Sequence, residues 1–164
     1  MTPLRRGVLI CLLLVATTGC DRVTKHYAAM ALAGKPAQSF FADTVRLDYH
    51  ENPGGFLSAG AAWRPSVRTG VFQIANAGFL FAILLVAARL KWSRLATIGL
   101  LLFLGGGFSN LIDRVAMGSV IDFMNLGIGS VRTGIFNVAD VAIMAGVALL
   151  LIEPWRRRSP VAQQ

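Results

Sequence analysis

The chain has 164 residues, of which 55% are hydrophobic and only 15% are charged. This length allows one domain, and the composition is too apolar for an ordinary soluble fold, so lipid is the expected solvent. The formal net charge of +8 would suggest nucleic acid or an anionic surface as the partner of a soluble protein. In a membrane protein the placement of the charges matters more, and we expect no nucleic-acid partner.

Four apolar segments, at about 5–33, 69–88, 95–112 and 133–152, are predicted to span a membrane. A hydrocarbon core of about 30 Å requires roughly 20 mostly apolar residues. The first segment meets this requirement only as one long helix that is tilted or partly emergent, because its second half contains charged residues. The expected fold is therefore an all-α membrane protein with four transmembrane helices, in which residues 1–164 form a single domain.

Basic residues cluster at one set of segment ends, in the stretches 5–6, 89–94 and 156–158, where Glu153 is the accompanying acid. The opposite ends carry nearly balanced charge. Cytoplasmic loops of membrane proteins are enriched in lysine and arginine, so the clustered side is predicted to be cytoplasmic. Both termini are then expected to face the cytoplasm.

Residues 34–68 and 113–132 are predicted to be excursions on the extracytoplasmic side. In the first excursion, apolar and polar residues alternate from Val45 to His50, which is the period of a half-buried strand. The letters NPGG at 52–55 then indicate a turn. A small β-sheet on the outer surface would satisfy this pattern.

Two acids are candidates for chemistry. Asp140 lies seven residues inside the predicted fourth span, roughly 10 Å below the surface at 1.5 Å per residue. A carboxylate at that depth lines a functional cavity or serves helix packing beside an arginine. Asp122 is either a solvated loop acid or, given the apolar residues around it, part of a segment that dips into the membrane.

Two carboxylates about one water apart cannot both ionise readily, so one keeps a proton while the other acts as a general base. Such a pair hydrolyses a peptide bond without a metal or a covalent intermediate. The chain has no GxSxG or HExxH motif, and His26 and His50 lack ligand partners, so both are expected at the surface. We expect no metal and no cofactor. The run GGG at 105–107 lacks a following GK[ST] and is interpreted as a site of close helix packing.

Further polar residues stand near these acids. Asp21 and Lys25 are four residues apart on one helix face, where they form a local ion pair or support catalysis. Asn137 precedes Asp140 by three residues. Three more cluster at the outer end of the third span: Asn110, Asp113 and Arg114. Helix capping and hydrogen bonds between helices explain these residues as well as a functional role does.

Four segments carry a family resemblance: DRVTK at 21–25, GGFSNLIDR at 106–114, GSVIDF at 118–123 and FNVAD at 136–140. In this order they resemble the signature segments of lipoprotein signal peptidase, also called signal peptidase II. The resemblance implies an intramembrane aspartic endopeptidase of four spans with a small extracytoplasmic sheet. It also implies that the enzyme removes signal peptides from diacylglyceryl-modified prolipoproteins, cutting before the lipidated cysteine.

The resemblance also assigns residues. Asp122 and Asp140 match the catalytic pair of the family. Eight positions match its supporting and substrate-binding residues: Asp21, Lys25, Asn52, Asn110, Asp113, Arg114, Asn137 and Ala139. The resemblance further implies that the protein lies in the bacterial inner membrane, with its active site near the outer leaflet and in contact with membrane lipids. It also implies inhibition by cyclic peptide antibiotics of the globomycin type.

The loop after Asn52 departs from the family pattern. The family usually has asparagine followed by x-Gly-Ala-Ala-Phe, whereas here Phe56 comes one residue closer, after Pro-Gly-Gly. We expect residues 48–58 to form either a mobile flap over the two acids, with Gly54 and Gly55 as its hinge, or a plain tight turn between strands.

Two other functions fit parts of the sequence. Residues 1–20 resemble a lipoprotein signal peptide that ends at Cys20, which would make the protein a lipid-anchored membrane component. Alternatively, Asp140 could be the proton site of a small ion-coupled carrier, since intramembrane acids also mark proton pathways.

Overall fold

The computed structural model describes residues 3–53, 62–89 and 92–158. Within these ranges the chain forms helices α1 (Pro3–Leu32), α2 (Pro65–Arg89), α3 (Arg94–Met117) and α4 (Val138–Arg158), and strands β1 (Gln38–Phe40), β2 (Val45–Asn52), β3 (Val120–Ile128) and β4 (Val131–Arg132). A mostly helical chain with a small antiparallel sheet is thus confirmed. Among the described helices only α3 is long and apolar enough to cross a membrane by composition, while the apolar stretch of α2, Gln73–Ala87, is shorter. The count of four spans remains a prediction.

Helix α3 is longer than the predicted third span. Ser93 caps its start by accepting a hydrogen bond from the Ala96 N–H at 3.1 Å. Its end comes at Gly118, which has a left-handed φ of 77° and donates its N–H to the Arg114 carbonyl at 3.0 Å. Asp113 and Arg114 therefore lie on the last turns of this helix and not in an excursion.

Helix α4 begins at Val138 and not at 133, where the fourth span was predicted to begin. The intervening residues are bound to β3, because the Thr133 N–H donates to the Leu126 carbonyl at 2.7 Å and Phe136 pairs with Met124. Asp140 consequently lies in the first turn of the helix. The expected helix start seven residues before Asp140 was wrong, while the depth of Asp140 in a membrane stays a prediction.

The four strands form one antiparallel sheet in the order β1-β2-β3-β4. Strand β2 confirms the alternation that predicted it, and its neighbour β3 carries Asp122. Asp122 is buried on this strand, so the alternative of a solvated loop acid was wrong, while a position of this segment in the membrane stays a prediction. Phe123 packs with Ala28 and Leu32 in a buried cluster that fixes the sheet on the end of α1. This packing places β3 beside the helices that carry the other polar residues.

The glycine run of α3 allows three helices to approach it. A β-carbon on Gly105 would contact Thr17 of α1, one on Gly106 would overlap the Ala139 carbonyl oxygen of α4, and one on Gly107 would overlap Leu80 of α2. Each glycine thus faces a different helix. The interpretation of this run as a site of close helix packing is confirmed.

Replacing Gly106 with alanine is expected to destabilise the fold by about 1–3 kcal/mol, because the added methyl must push the backbone of α4 away. Unfolding in detergent micelles, followed by circular dichroism, measures this loss. Gly78→Ala is the matched control, since a β-carbon there meets no atom within 4 Å. Equal unfolding midpoints for the two variants would contradict the proposed contact.

The predicted flap lies partly outside the described residues. Strand β2 ends at Asn52, whereas Gly54, Gly55 and Phe56 belong to the stretch 54–61 that the structure does not describe. Both the flap and the tight turn therefore stay predictions.

Candidate active site

The sequence that opens α4 positions Asp140. Asn137 precedes the helix and accepts a hydrogen bond on Oδ1 from the Asp140 N–H at 3.0 Å. In return, Asp140 Oδ2 accepts from the Asn137 N–H at 3.1 Å. This reciprocal arrangement satisfies two backbone donors that a helix start leaves unpaired. The carboxylate of Asp140 is thereby fixed by the backbone of its own helix.

Asp122 is held beside Asp140 through the same asparagine. Asn137 Nδ2 donates to Asp122 Oδ1 at 2.6 Å, and Asn52 Nδ2 donates to Asp122 Oδ2 at 3.1 Å. Asp122 is buried on β3, with only 3% of its surface exposed. Asn137 therefore contacts both candidate catalytic carboxyl groups, that of Asp122 through its side-chain amide and that of Asp140 through its backbone N–H.

Asn110 of α3 completes the link between the two acids. Its Nδ2 donates to Asp140 Oδ1 at 2.9 Å, while its Oδ1 accepts from Asn137 Nδ2 at 3.2 Å. The same oxygen accepts from Lys25 Nζ at 2.8 Å. Asn110 thus connects the pair of acids to a charged cluster beneath it.

That cluster is a buried ion network between α1 and α3. Lys25 Nζ lies 2.6 Å from both Asp21 Oδ2 and Asp113 Oδ2, and Arg22 also pairs with Asp113. Asp21 and Asp113 are fully buried, and Lys25 is 3% exposed. The local ion pair predicted for Asp21 and Lys25 is present, and it extends to a second helix.

Asp21 also binds the start of α4. Its Oδ1 accepts from the Ala139 N–H at 2.8 Å, and its Oδ2 accepts from the Ser109 hydroxyl at 2.7 Å. Ala139 is buried and supplies a backbone donor, not a side chain, to the network. A carboxylate from α1 therefore caps the helix that carries Asp140, in accord with the preference of helix N-termini for negative charge.

Burial raises the pKa of Asp122 to about 6, and the negative charge of Asp140 adds to this shift. Hydrogen bonds from Asn52 and Asn137 and the charge of Lys25 act in the opposite direction. Arg114 donates to the Asn110 carbonyl at 3.3 Å, and its charge acts on both acids. A carboxyl group with this pKa can hold or release a proton near neutral pH, as general acid–base chemistry requires.

The sequence-based list of site residues is brought together in one place, around Asn137 and Asn110. Two participants were missed, Arg22 and Ser109. Ser109 could have been found because it lies four residues before Asp113 and so shares its helix face. The part of the chain that the structure describes contains no group of three residues able to bind a metal ion.

Comparison with known proteins identifies the family. The family model described as Signal peptidase (SPase) II matches residues 13–156. The chain belongs to the signal peptidase II family. This family consists of aspartic peptidases, so the predicted resemblance and the predicted hydrolysis of peptide bonds are both confirmed. Family membership also favours the peptidase over the carrier and the lipid-anchored component.

Individual relatives agree with this assignment. The lipoprotein signal peptidase of Methylobacterium radiotolerans is 35% identical over 163 residues, covering 93% of this chain and 87% of the relative. That of Beijerinckia indica subsp. indica is 48% identical over 108 residues, covering 64% of this chain and 62% of the relative. That of Burkholderia cenocepacia is 36% identical over 103 residues, covering 63% of this chain and 60% of the relative.

Two solved structures of bacterial membrane enzymes, both determined by the in meso method, share the fold. The structure at 2.3 Å resolution has a TM-score of 0.79 at 24% identity and covers 95% of this chain and 93% of its own. The structure at 1.9 Å resolution has a TM-score of 0.77 at 24% identity and covers 89% of this chain and 92% of its own. The likeness shows that this chain has the same fold as these two enzymes.

Proposed function

We propose that the chain removes signal peptides from prolipoproteins, with Asp122 and Asp140 as its catalytic pair. The assignment depends on one observation: the side-chain amide of Asn137 donates to the Asp122 carboxylate through its nitrogen and accepts from the Asp140 backbone N–H through its oxygen. The carboxyl group of Asp140 is bound by the backbone N–H of the same asparagine, and this common partner supports a pair that shares one proton. No other pair of acids among the described residues is bridged in this way while remaining free of a direct ion pair.

In the proposed reaction the ionised member of the pair takes a proton from a water molecule, whose oxygen attacks the carbonyl carbon of the scissile bond. The protonated member polarises the carbonyl oxygen and later protonates the leaving amine. The shared proton belongs to the pair and not to one residue. Asn110 binds Asp140 and is itself held by Lys25, Asn52 and Asn137 bind Asp122, and Arg114 adds positive charge at the site.

The proposed setting is the bacterial inner membrane, with four spans, both termini in the cytoplasm and the catalytic pair near the outer leaflet. Exposed apolar side chains support contact of the helices with lipid: Val8, Leu12 and Val15 on α1, Phe79, Phe81 and Leu85 on α2, and Val141 and Met144 on α4. Such surfaces would be unfavourable in water. The basic residues at 89–94 and 156–158 support the orientation.

The proposed substrate carries a diacylglyceryl group on the cysteine that follows the cleaved bond. Cyclic peptide antibiotics of the globomycin type are proposed as inhibitors that occupy the same site. A catalytic pair at the edge of the bilayer leaves the acyl chains in lipid or against the apolar helix surfaces while the peptide is cut.

We expect lipidated prolipoprotein to be cleaved at least about 100-fold faster than the same precursor without lipid, at equal low concentration. Burial of about four methylene groups at roughly 0.8 kcal/mol each is enough for this ratio. Purified enzyme in micelles and mass spectrometry of the products give both the rates and the position of the cut. Equal rates for the two precursors would rule out the proposed substrate, and a cut elsewhere than before the cysteine would rule out the proposed specificity.

A further inference from the structure

His50 lies directly across the sheet from Asp122. In the antiparallel pairing of β2 with β3, His50 is opposite Asp122 and Asn52 is opposite Val120. Residues opposite each other in such a pair project from the same face of the sheet, with β-carbons roughly 4.5–5.5 Å apart. Asn52 donates to Asp122 from this same strand. The face of β2 that carries His50 is therefore the face that borders the proposed catalytic pair.

The pairing of β2 with β3 is irregular just before His50. The register of β2 against β3 shifts between Leu47 and His50. Such irregularities bend a strand and redirect its side chains, and they occur often beside active sites. Here the shift precedes the two residues, His50 and Asn52, that share a face with Asp122. The shift thus aligns the end of β2 with the site.

The imidazole of His50 is exposed and, within the described ranges, forms no hydrogen bond or ion pair. Its neighbour Glu51 is opposite Ile121 and so projects from the other face. The other charged groups that act on Asp122 and Asp140 come from the helices packed against the sheet: Asp21 and Lys25 of α1, Arg114 of α3 and Asp140 of α4 itself. Strand β1, on the other side of β2, contains no charged residue.

We propose that His50 is a positioning residue that acts through Asp122: when protonated, it favours the ionised form of the catalytic pair and so extends cleavage to lower pH. The pair needs one ionised carboxyl group to activate water. Burial of Asp122 opposes ionisation, while a positive charge across the sheet favours it. Histidine ordinarily gains its charge between pH 5 and 8, so the charge appears as acidity begins to limit the pair. This inference rests on the proposed assignment of Asp122 and Asp140.

The test compares four proteins: the unmodified enzyme, His50→Gln, His50→Lys and the control Glu51→Gln. The turnover number kcat for diacylglyceryl prolipoprotein is measured from pH 4.5 to 9 at low ionic strength. We expect the acidic limb of the profile to move up by roughly 0.2–0.7 pH units in His50→Gln, from the typical strength of a cross-strand charge pair. His50→Lys keeps a positive charge and should retain the original acidic limb, as should Glu51→Gln.

The dependence of the acidic limb on salt concentration is a second measurement, and a variant that had merely lost structure would not show it. Because His50 is exposed, its effect on Asp122 is screened, so the difference between the unmodified enzyme and His50→Gln should shrink in 1 M salt. Coincident acidic limbs at low salt would overturn the inference. So would a shift in His50→Lys equal to that in His50→Gln, or a change confined to KM, since either would assign the ring to packing or substrate contact.

The asparagine variants of Asp122 and Asp140 separate failure of this inference from failure of the proposed function. If those variants retain cleavage, the assignment of the catalytic pair is wrong and the role of His50 fails with it, whereas absence of cleavage by the unmodified enzyme would refute the proposed function. If they lose cleavage while the profiles of the His50 variants match the unmodified enzyme, the function stands and the role of His50 alone is rejected.

Discussion

Asp122→Asn and Asp140→Asn are each expected to lower cleavage of diacylglyceryl prolipoprotein by at least about 1,000-fold while leaving the protein folded. Loss of a general acid or base costs roughly 10²–10⁴-fold in rate, and here one substitution also removes the shared proton from its partner. Asparagine retains the shape of the side chain. At position 140 its amide oxygen can still accept from the Asn137 N–H, so the start of α4 keeps its cap. The rates at saturating substrate measure the loss.

Asp43→Asn is the matched control for these two variants. Asp43 follows β1, where hydrogen bonds from Arg46 hold its pKa well below the usual range, and it takes no part in the network around Asn137. This variant should cleave at the rate of the unmodified enzyme. Circular dichroism and the unfolding midpoint establish that all three variants fold. Retention of more than a tenth of the activity in either active-site variant would exclude that residue from the catalytic pair.

Much of the site could be predicted from the sequence, because acidic residues are rare in membrane-spanning segments and those that occur there usually have a function. Asp140 was found from the cost of placing a carboxylate in an apolar segment, and β2 from its alternating pattern. Strand β3 escaped detection because both of its faces are largely buried: Val120 and Asp122 lie on one face and Phe123 on the other. Burial on both faces removes the alternation that identifies a strand.

Other features depend on contacts distant in the sequence. Residues before Val138 were expected to be helical because they adjoin an apolar stretch, but pairing of Phe136 with Met124 holds them extended. The contact of Ser109 with Asp21 joins residues far apart in the chain and leaves no local signal beyond a shared helix face. Sequence spacing predicted the bond between Asp21 and Lys25, whereas only the packing of α1 on α3 adds Asp113 to it.

Lys25→Met is expected to destabilise the protein by roughly 3–5 kcal/mol, the usual effect of removing one partner from a buried ion pair. Lys25 lies between Asp21 and Asp113, and all three side chains are excluded from solvent. Methionine matches the length of the lysine stem, so the change in packing is small. The dominant effect is electrostatic, because Asp113 keeps Arg22 as its partner whereas Asp21 retains only the donors of Ser109 and Ala139. The free energy of unfolding in micelles measures the loss.

Two companion variants identify the cause of the loss. Arg46→Met removes a cation from the exposed pair with Asp43 and should change the free energy of unfolding far less, because the acid that remains is solvated by water and still pairs with Arg132. Adding Asp21→Asn to Lys25→Met removes the unpaired charge and should recover part of the stability, so that the two substitutions are not additive. If Lys25→Met were no more destabilising than Arg46→Met, the buried network could not be what secures α1 to α3. Recovery in the double variant without recovery of cleavage would show that the charged network has a role beyond stability, namely to hold Asn110 and the first turn of α4, and with them Asp140, in the geometry that catalysis requires.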